Sequence, residues 1–200
     1  MFITLEGIDG CGKSTQAALL ANLLAERRDV VRTREPGGWP EGGALRELLL
    51  HGGLCGSWTE VLLFVADRCE HASKVILPAL RRGETVICER YNDSTLAYQC
   101  WGRGLDREKV EALIDWCGLP QPDVTLWFDL PVELALSRRT SRGGCDRFEA
   151  QELAFHRRIA QGFAELSRET GRIVRIDGAQ SEADVTEQMV NALRQRGVQF

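Results

Sequence analysis

Short apolar runs alternate along this chain with longer segments whose apolar residues recur at helical spacing. Phe2-Ile3-Thr4-Leu5, Val30 to Thr33, Thr85 to Cys88, Val124 to Phe128 and Arg172 to Ile176 read as five strands. Between them lie helical patterns. Gln16 to Arg28 carries Leu19, Leu20, Leu23 and Leu24 on one face, and Ala44 to Leu50 follows a loop rich in Pro and Gly. Thr59 to Arg82 places Val61, Leu62, Val65, Cys69, Val75, Ile76 and Leu80 at helical intervals, and Pro78 either kinks it or begins a second helix. Asp93 to Trp101 is helical in tendency. Asp106 caps a helix that runs to Cys117, where Gly118 and Pro120 stop it. Further helices are read from Val132, over Glu149 to Thr170 and over Glu182 to Arg196. This alternation predicts an α/β fold: a doubly wound, five-stranded parallel sheet flanked by helices, with ligands gathered at the carboxyl ends of the strands. The 200 residues fit one domain spanning 1–200, and no internal repeat divides them.

The first strand runs into Gly7-Ile8-Asp9-Gly10-Cys11-Gly12-Lys13-Ser14-Thr15, which then opens a helix. In the spacing G-x-x-x-x-G-K-[ST], glycines let consecutive backbone N–H groups turn around phosphate oxygens at the positive end of a helix. Lys13 would reach the β- and γ-phosphates, and the Ser14 hydroxyl would bind Mg²⁺. A Gly-rich turn that matches by chance is the alternative; the strand-to-helix junction and the hydroxyl pair argue for nucleotide phosphate.

Composition narrows the rest. Lys and Arg total 25 against 29 Asp and Glu, so no global positive field recruits nucleic acid or a membrane surface. No apolar run reaches membrane-spanning length, and the start has no charged region leading into an apolar core; a soluble, unexported, cytoplasmic protein is expected. Seven cysteines without a C-x-x-C pair read as reduced cytosolic thiols, with zinc ligation a poorer reading. Cys11, among phosphate-binding amides, is expected to be the most easily alkylated thiol.

Other residues at strand ends carry chemistry. A GTPase switch needs a D-x-x-G after a strand beyond the phosphate loop and an N-K-x-D after a later one, and neither stands at such a place. Glu89-Arg90-Tyr91 instead sets a carboxylate and a guanidinium at the mouth of a strand, suited to Mg²⁺ water and to a phosphate; a surface ion pair is the plainer alternative. Arg138 to Arg147 is the densest basic segment and contains Gly143-Gly144. It reads either as a solvated helix end or as a lid, over about 138–148, that delivers Arg138, Arg142 and Arg147 to a phosphoryl-transfer transition state. Phe64 and Arg68, four apart, project from one helix face and suit a flat base with carbonyl acceptors, although by pattern alone Phe64 reads rather as core.

Phe2 to Gly10, Thr33-Arg34-Glu35-Pro36-Gly37-Gly38, Glu89-Arg90-Tyr91 with Ser94, Ala97-Tyr98-Gln99, Gly102-Arg103-Gly104 and Asp146-Arg147-Phe148-Glu149 stand in the order in which they occur in the bacterial thymidylate kinases, which the chain resembles over nearly its whole length. The resemblance implies a P-loop fold, transfer of the γ-phosphate of ATP to dTMP giving dTDP and ADP, Mg²⁺, ATP and dTMP as small-molecule ligands without nucleic acid or membrane, and a homodimer. Residue by residue it places ATP on Gly7 to Thr15 and near Gln180. It puts the acceptor phosphate on Lys13, Arg46 and Arg90, with Arg34, Glu35 and Pro36 lining that side, and Mg²⁺ on Ser14 and Glu89. Thymine would stack on Phe64 and be met by Arg68, Thr95 and Gln99, with Tyr98 under the sugar and Asp9 at its 3′-OH.

Departures from the family pattern also stand out. Cys11 occupies the position where some members carry a P-loop arginine, so the chain resembles the lid-arginine type. Glu89 replaces the usual Asp, and Trp101 replaces a Gly common after Ala-Tyr-Gln. A deoxynucleoside kinase is the rival enzyme reading and would need a carboxylate base, for which Glu35 is the candidate. A nucleotide-binding switch without turnover is the non-enzymatic rival. Val61, Leu62 and Val65 are either a dimer face or internal core.

Overall fold

The computed structural model describes residues 1–54, 56–140 and 149–200, the side chains of 139, 140 and 149–152 excepted. Among the described residues five strands, β1 (Phe2–Glu6), β2 (Val30–Arg34), β3 (Thr85–Glu89), β4 (Val124–Asp129) and β5 (Ile173–Asp177), form one sheet in the order β2-β3-β1-β4-β5. Every neighbouring pair is parallel; Leu5 aligns with Glu89 on one side and with Leu126 on the other. The central strand β1 is buried along its whole length, as a strand covered on both faces must be.

Helices α1 (Lys13–Ala25), α2 (Gly43–His51), α3 (Ser57–His71), α4 (Leu77–Arg81), α5 (Asn92–Thr95), α6 (Arg107–Trp116), α7 (Val132–Thr140), α8 (Glu149–Glu169) and α9 (Glu182–Arg194) connect and cover these strands. The face predicted for α1 is narrower than read: Leu20 and Leu24 are fully buried with Ala17, whereas Leu19 and Leu23 are half-buried. The Asp106 side chain accepts from Lys109 N, capping α6 as predicted.

Two helical readings are refined. Pro78 does begin a new helix, but α3 joins α4 through a π-helical turn at Ala72–Ile76. The wider turn accommodates the ring and the missing N–H of a proline without interrupting the chain direction. The segment after β3 is likewise only briefly α-helical and continues as a π-helical stretch, Leu96–Gly102, which presents Tyr98 and Gln99 toward the interior end of the sheet.

β1 alternates as a strand should. Ile3 and Leu5 enter the main apolar core. Phe2, Thr4 and Glu6 share the other face, where Thr4 meets Thr125 through their hydroxyls at 2.7 Å and Phe2 packs edge-on against Tyr91. Arg172 clamps Asp93 with two 2.7 Å hydrogen bonds and also reaches Thr125, so a buried polar network fixes α5 beneath the carboxyl end of β1.

Candidate active site

The loop after β1 returns onto itself at the start of α1. Lys13 Nζ donates to Gly7 O and Ile8 O, both at 2.9 Å, and lies 3.5 Å from Cys11 Sγ. Burial, with Arg90 next in weight, lowers the Lys13 pKa. Gly10 has φ +85°, and a Cβ there would stand 2.4 Å from Ala135 O. Only glycine allows the loop to lie this close to α7, the helix that leads toward 141–148. Cys11 is buried, 3% exposed, which counts against its expected role as the most easily alkylated thiol; among the described cysteines Cys69 and Cys117 are more open.

A polar cavity of about 220 Å³ is lined by the loop residues Asp9, Gly10, Gly12, Lys13, Ser14 and Thr15 together with Arg34, Glu35, Arg46, Glu89 and Arg90. Ser14 Oγ donates to Glu89 Oε2 at 2.5 Å. These hard oxygen donors, side by side at the cavity wall, fit a small divalent cation that retains several waters.

Beside it lies a more apolar cavity of about 440 Å³ that shares Asp9, Glu35, Arg46 and Arg90 with the first. Its wall also includes Pro36, Phe64, Arg68, Thr95, Tyr98 and Gln99. Arg68 is buried: Nε donates to Glu35 Oε2 at 2.7 Å, Nη2 donates to Thr95 Oγ1 at 2.9 Å, and Nη1 has no partner. Gln99 Nε2 reaches Glu60 at 3.4 Å, while its Oε1 is buried without a partner. Arg68 and Gln99, both lining this partly aromatic cavity, thus each keep one buried side-chain atom, a donor and an acceptor, without a hydrogen-bond partner.

Arg90 joins the two cavities. Its φ of 68° is the one positive value among the described non-glycine residues, a strained backbone of the kind found where a side chain must be aimed. Nη2 donates to Asp9 Oδ1 at 2.7 Å and to Tyr98 OH at 3.0 Å, Nη1 donates to Ser94 Oγ at 2.9 Å, and the guanidinium lies 4.8 Å over the Tyr98 ring. Burial alone would raise the Asp9 carboxyl, but Arg90 and then Lys13 outweigh it and bring the pKa down to about 2.

The remaining assignments divide. Arg34 lines the polar cavity, and Arg46 Nη1 donates to Pro36 O at 2.8 Å beside it. Glu35 is at the cavity wall, but both its oxygens are engaged, one by Arg68 and the other by His71 Nδ1 at 2.9 Å. Gln180 is bonded to Asp177 in an exposed loop whose Gly178 lies near Cys11 O, which brings that loop beside the phosphate-binding turn. Arg138 Nη1 donates to Gly178 O at 3.3 Å, against this same loop. Arg142 and Arg147 lie outside the described residues, as does most of the proposed lid.

The structure adds residues that the motifs did not announce. Glu6 sits fully buried beneath Arg90. Asp67 accepts Gly37 N and Trp39 Nε1 and so ties down the 34–43 loop. Glu60 pairs with Arg103, and Phe155 and His156 of α8 close the larger cavity. A carboxylate ending an otherwise apolar strand was the available signal for Glu6; nothing local marks Phe155, which arrives from the far end of the chain. Glu35, His71 and Cys88 place ligand-type atoms close together, but the Arg68 guanidinium already occupies the carboxylate, as an ion-pair network requires.

A profile of the family described as "Thymidylate kinase" matches residues 5–189. The chain is 51% identical over 199 residues to the thymidylate kinase of Synechococcus sp. (strain JA-2-3B'a(2-13)), covering 98% of this chain and 95% of that one. It is 46% identical over 206 residues to the thymidylate kinase of Gluconobacter oxydans, covering 98% and 94%. The crystal structure of thymidylate kinase from Ehrlichia chaffeensis superposes with a TM-score of 0.82 at 34% identity, covering 97% of this chain and 98% of that one.

Proposed function

This chain belongs to the thymidylate kinase family, and from that premise we propose how its residues carry the family's reaction. The reaction is transfer of a phosphoryl group from ATP to dTMP. One observation supports the assignment of sites: the polar phosphate-loop cavity and the flat, half-apolar cavity meet at Asp9, Arg46 and Arg90, where a donor and an acceptor phosphate would face each other.

In this reading the triphosphate lies on Gly7 to Thr15, with the 177–180 loop beside it for adenine. Ser14 and Glu89 would hold Mg²⁺, which when bound neutralises charge on the β- and γ-phosphate oxygens. Arg46 and Arg90 hold the monophosphate in line with the γ-phosphorus. One of its oxygens forms the new P–O bond as the bond to the β-phosphate oxygen breaks, leaving ADP. That nucleophile is already largely ionised at neutral pH, so no general base is needed. The thymine ring lies on Phe64, its 4-carbonyl accepting from Arg68 Nη1 and its N3–H donating to Gln99 Oε1, the two buried atoms without partners. Charge at the transition state is met by Lys13 and by the lid arginines, for which Arg138, Arg142 and Arg147 are the candidates.

The same proposal includes one domain over 1–200 with a lid at about 138–148, a cytoplasmic location and a homodimer. No helix among the described residues is long and apolar enough to cross a membrane. Val61 and Val65 are internal core, whereas Trp58 and Leu62 stand exposed on α3 and suit a pairing face.

A coupled assay offered thymidine and dTMP separately tests the substrate. Turnover with dTMP is expected; phosphorylation of thymidine alone would refute the reading in favour of a deoxynucleoside kinase. Glu35 argues against that rival already, since the carboxylate it would need as base is held by Arg68 and His71.

A further inference from the structure

Glu6 is fully buried at the end of β1, on the face opposite Ile3 and Leu5. Removing a carboxylate from water is costly unless it is hydrogen-bonded and paired, so its partners reveal what the placement achieves. Tyr91 N donates to Oε1 at 2.7 Å and Ser94 Oγ donates to Oε2 at 2.5 Å. Both partners flank Arg90, the residue at φ 68°. The bond to Tyr91 N pins the peptide that follows the strained residue, and Arg90 N is held from the other side by Leu5 O at 3.0 Å.

The bond to Ser94 has a second effect. Above its raised pKa of about 7 the Glu6 carboxylate is ionised and only accepts, so there it fixes the hydroxyl proton of Ser94 on the Glu6 side and leaves the oxygen lone pairs facing away. Arg90 Nη1 donates to that oxygen at 2.9 Å. The guanidinium is thereby held on the Ser94 side while Asp9 and Tyr98 receive its other nitrogen. The Arg172–Asp93 pair anchors α5 beneath this chain of contacts.

We propose that Glu6 is a positioning residue for the acceptor phosphate: through Tyr91 N–H and the Ser94 hydroxyl it holds Arg90 in its strained backbone and aims its guanidinium at the point where the two cavities meet. This rests on the reading that Arg90 binds the phosphate of dTMP, and it adds a residue that touches neither substrate. A carboxamide cannot replace it. One end of Gln would present a second donor either to Tyr91 N–H or to Ser94, so one of the two bonds is lost or reversed.

The test compares binding of dTMP with binding of thymidine, which lacks the phosphate, by titration calorimetry on the full chain at about pH 8.5, where Glu6 is ionised and a carboxamide does not mimic it. For Glu6→Gln the preference for dTMP over thymidine is expected to fall by about tenfold or more, the loss of a hydrogen bond to a charged group, while thymidine affinity stays nearly unchanged. A general loosening of the site would weaken both ligands alike and would overturn the inference. Ser94→Ala removes only the relay and should reduce the same preference; if Glu6→Gln does not fold, Ser94→Ala decides, and an unchanged preference there overturns the inference. Arg90→Ala tests the underlying reading separately. If it leaves the preference intact, Arg90 does not bind the phosphate; if it abolishes the preference while Glu6→Gln and Ser94→Ala do not, the reading stands and the role of Glu6 falls.

Discussion

A buried guanidinium nitrogen without a partner costs stability, and Arg68 Nη1 is such a nitrogen. The Glu35 and Thr95 contacts fix Nε and Nη2, so the side chain is held in place before any ligand arrives, and in the proposed reading Nη1 is the atom left for the base. Arg68→Lys keeps a charge beside Glu35 but loses the planar fork. It is expected to raise KM for dTMP roughly 10- to 100-fold with a smaller change in kcat, as measured by steady-state kinetics, because the lost contact lies on the base and away from the reacting phosphates. Glu6 makes a second prediction at this scale. Burial, and then the nearby Asp93, raise its pKa to about 7 against the opposing pull of Ser94, Arg90 and Tyr91; Lys13, Arg68 and Arg172 also feel its charge. Between its ordinary value of 4.5 and about 7 the folded chain holds a proton that the unfolded chain has released. Stability from this group is therefore greatest at the acid end of that window, falls as pH rises through it and is level above. Urea midpoints at pH 5 and pH 8 check this: wild type should lose stability relative to Glu6→Gln on going to the higher pH.

At the scale of elements, α8 is fastened to the π-helical stretch Leu96–Gly102 by a fit between a large residue and a missing side chain. A Cβ on Gly162 would come within 2.9 Å of the Trp101 ring, whose Nε1 donates to Glu165 at 3.0 Å while Arg107 lies 5.2 Å over its face. Arg158 continues the seam by donating to Gly102 O at 2.8 Å. Phe155, on the same helix, closes the larger cavity. Gly162→Ala is expected to destabilise the chain by about 1–3 kcal/mol through overpacking. In a Trp101→Ala background the same change should be neutral or stabilise by up to about 1 kcal/mol, because alanine is the better helix former once the ring is gone. Chemical denaturation of the four variants in a double-mutant cycle would show this reversal of sign. Element type was readable because each helix and strand carries its own periodicity. The tryptophan was visible as a departure, but its partner glycine lies in another element and no local pattern pairs them. The π-helical turns escaped the pattern for a related reason: one extra residue per turn barely disturbs apolar spacing, and only the backbone hydrogen bonds reveal it.

For the whole molecule, the parallel sheet fixes where chemistry can occur. β1 and β3 deliver the Gly7 loop and Glu89-Arg90 to the same edge, and the order β2-β3-β1-β4-β5 turns that edge into two adjoining cavities. On the outer surface, Leu62 is 53% exposed while Val61 beside it is buried, so of the face read as either dimer contact or core Val61 is core and only Leu62 is left for the proposed dimer contact. Leu62→Glu should leave the fold intact and shift the chain toward a monomer in size-exclusion chromatography with light scattering, since a carboxylate is costly at the centre of an apolar interface. An unchanged mass would remove α3 from the proposed dimer face.

The sequence by itself determined the strands, the Gly7 to Thr15 loop, the family and most of the residues that line the larger cavity, because these depend on periodicity and on motifs contiguous along the chain. Arg90, Arg68 and Gln99 could be named from such motifs. What held them there could not: Glu6 under Arg90, Glu35 and His71 behind Arg68, and Phe155 across the cavity are neighbours only after the strands are ordered. Tertiary structure also decided the setting of single groups, burying Cys11 and engaging both oxygens of Glu35. The physical reason is the same in each case. Local pattern records what a residue offers, whereas burial and hydrogen-bond partners, set by packing between distant segments, decide which of its atoms remain available for chemistry.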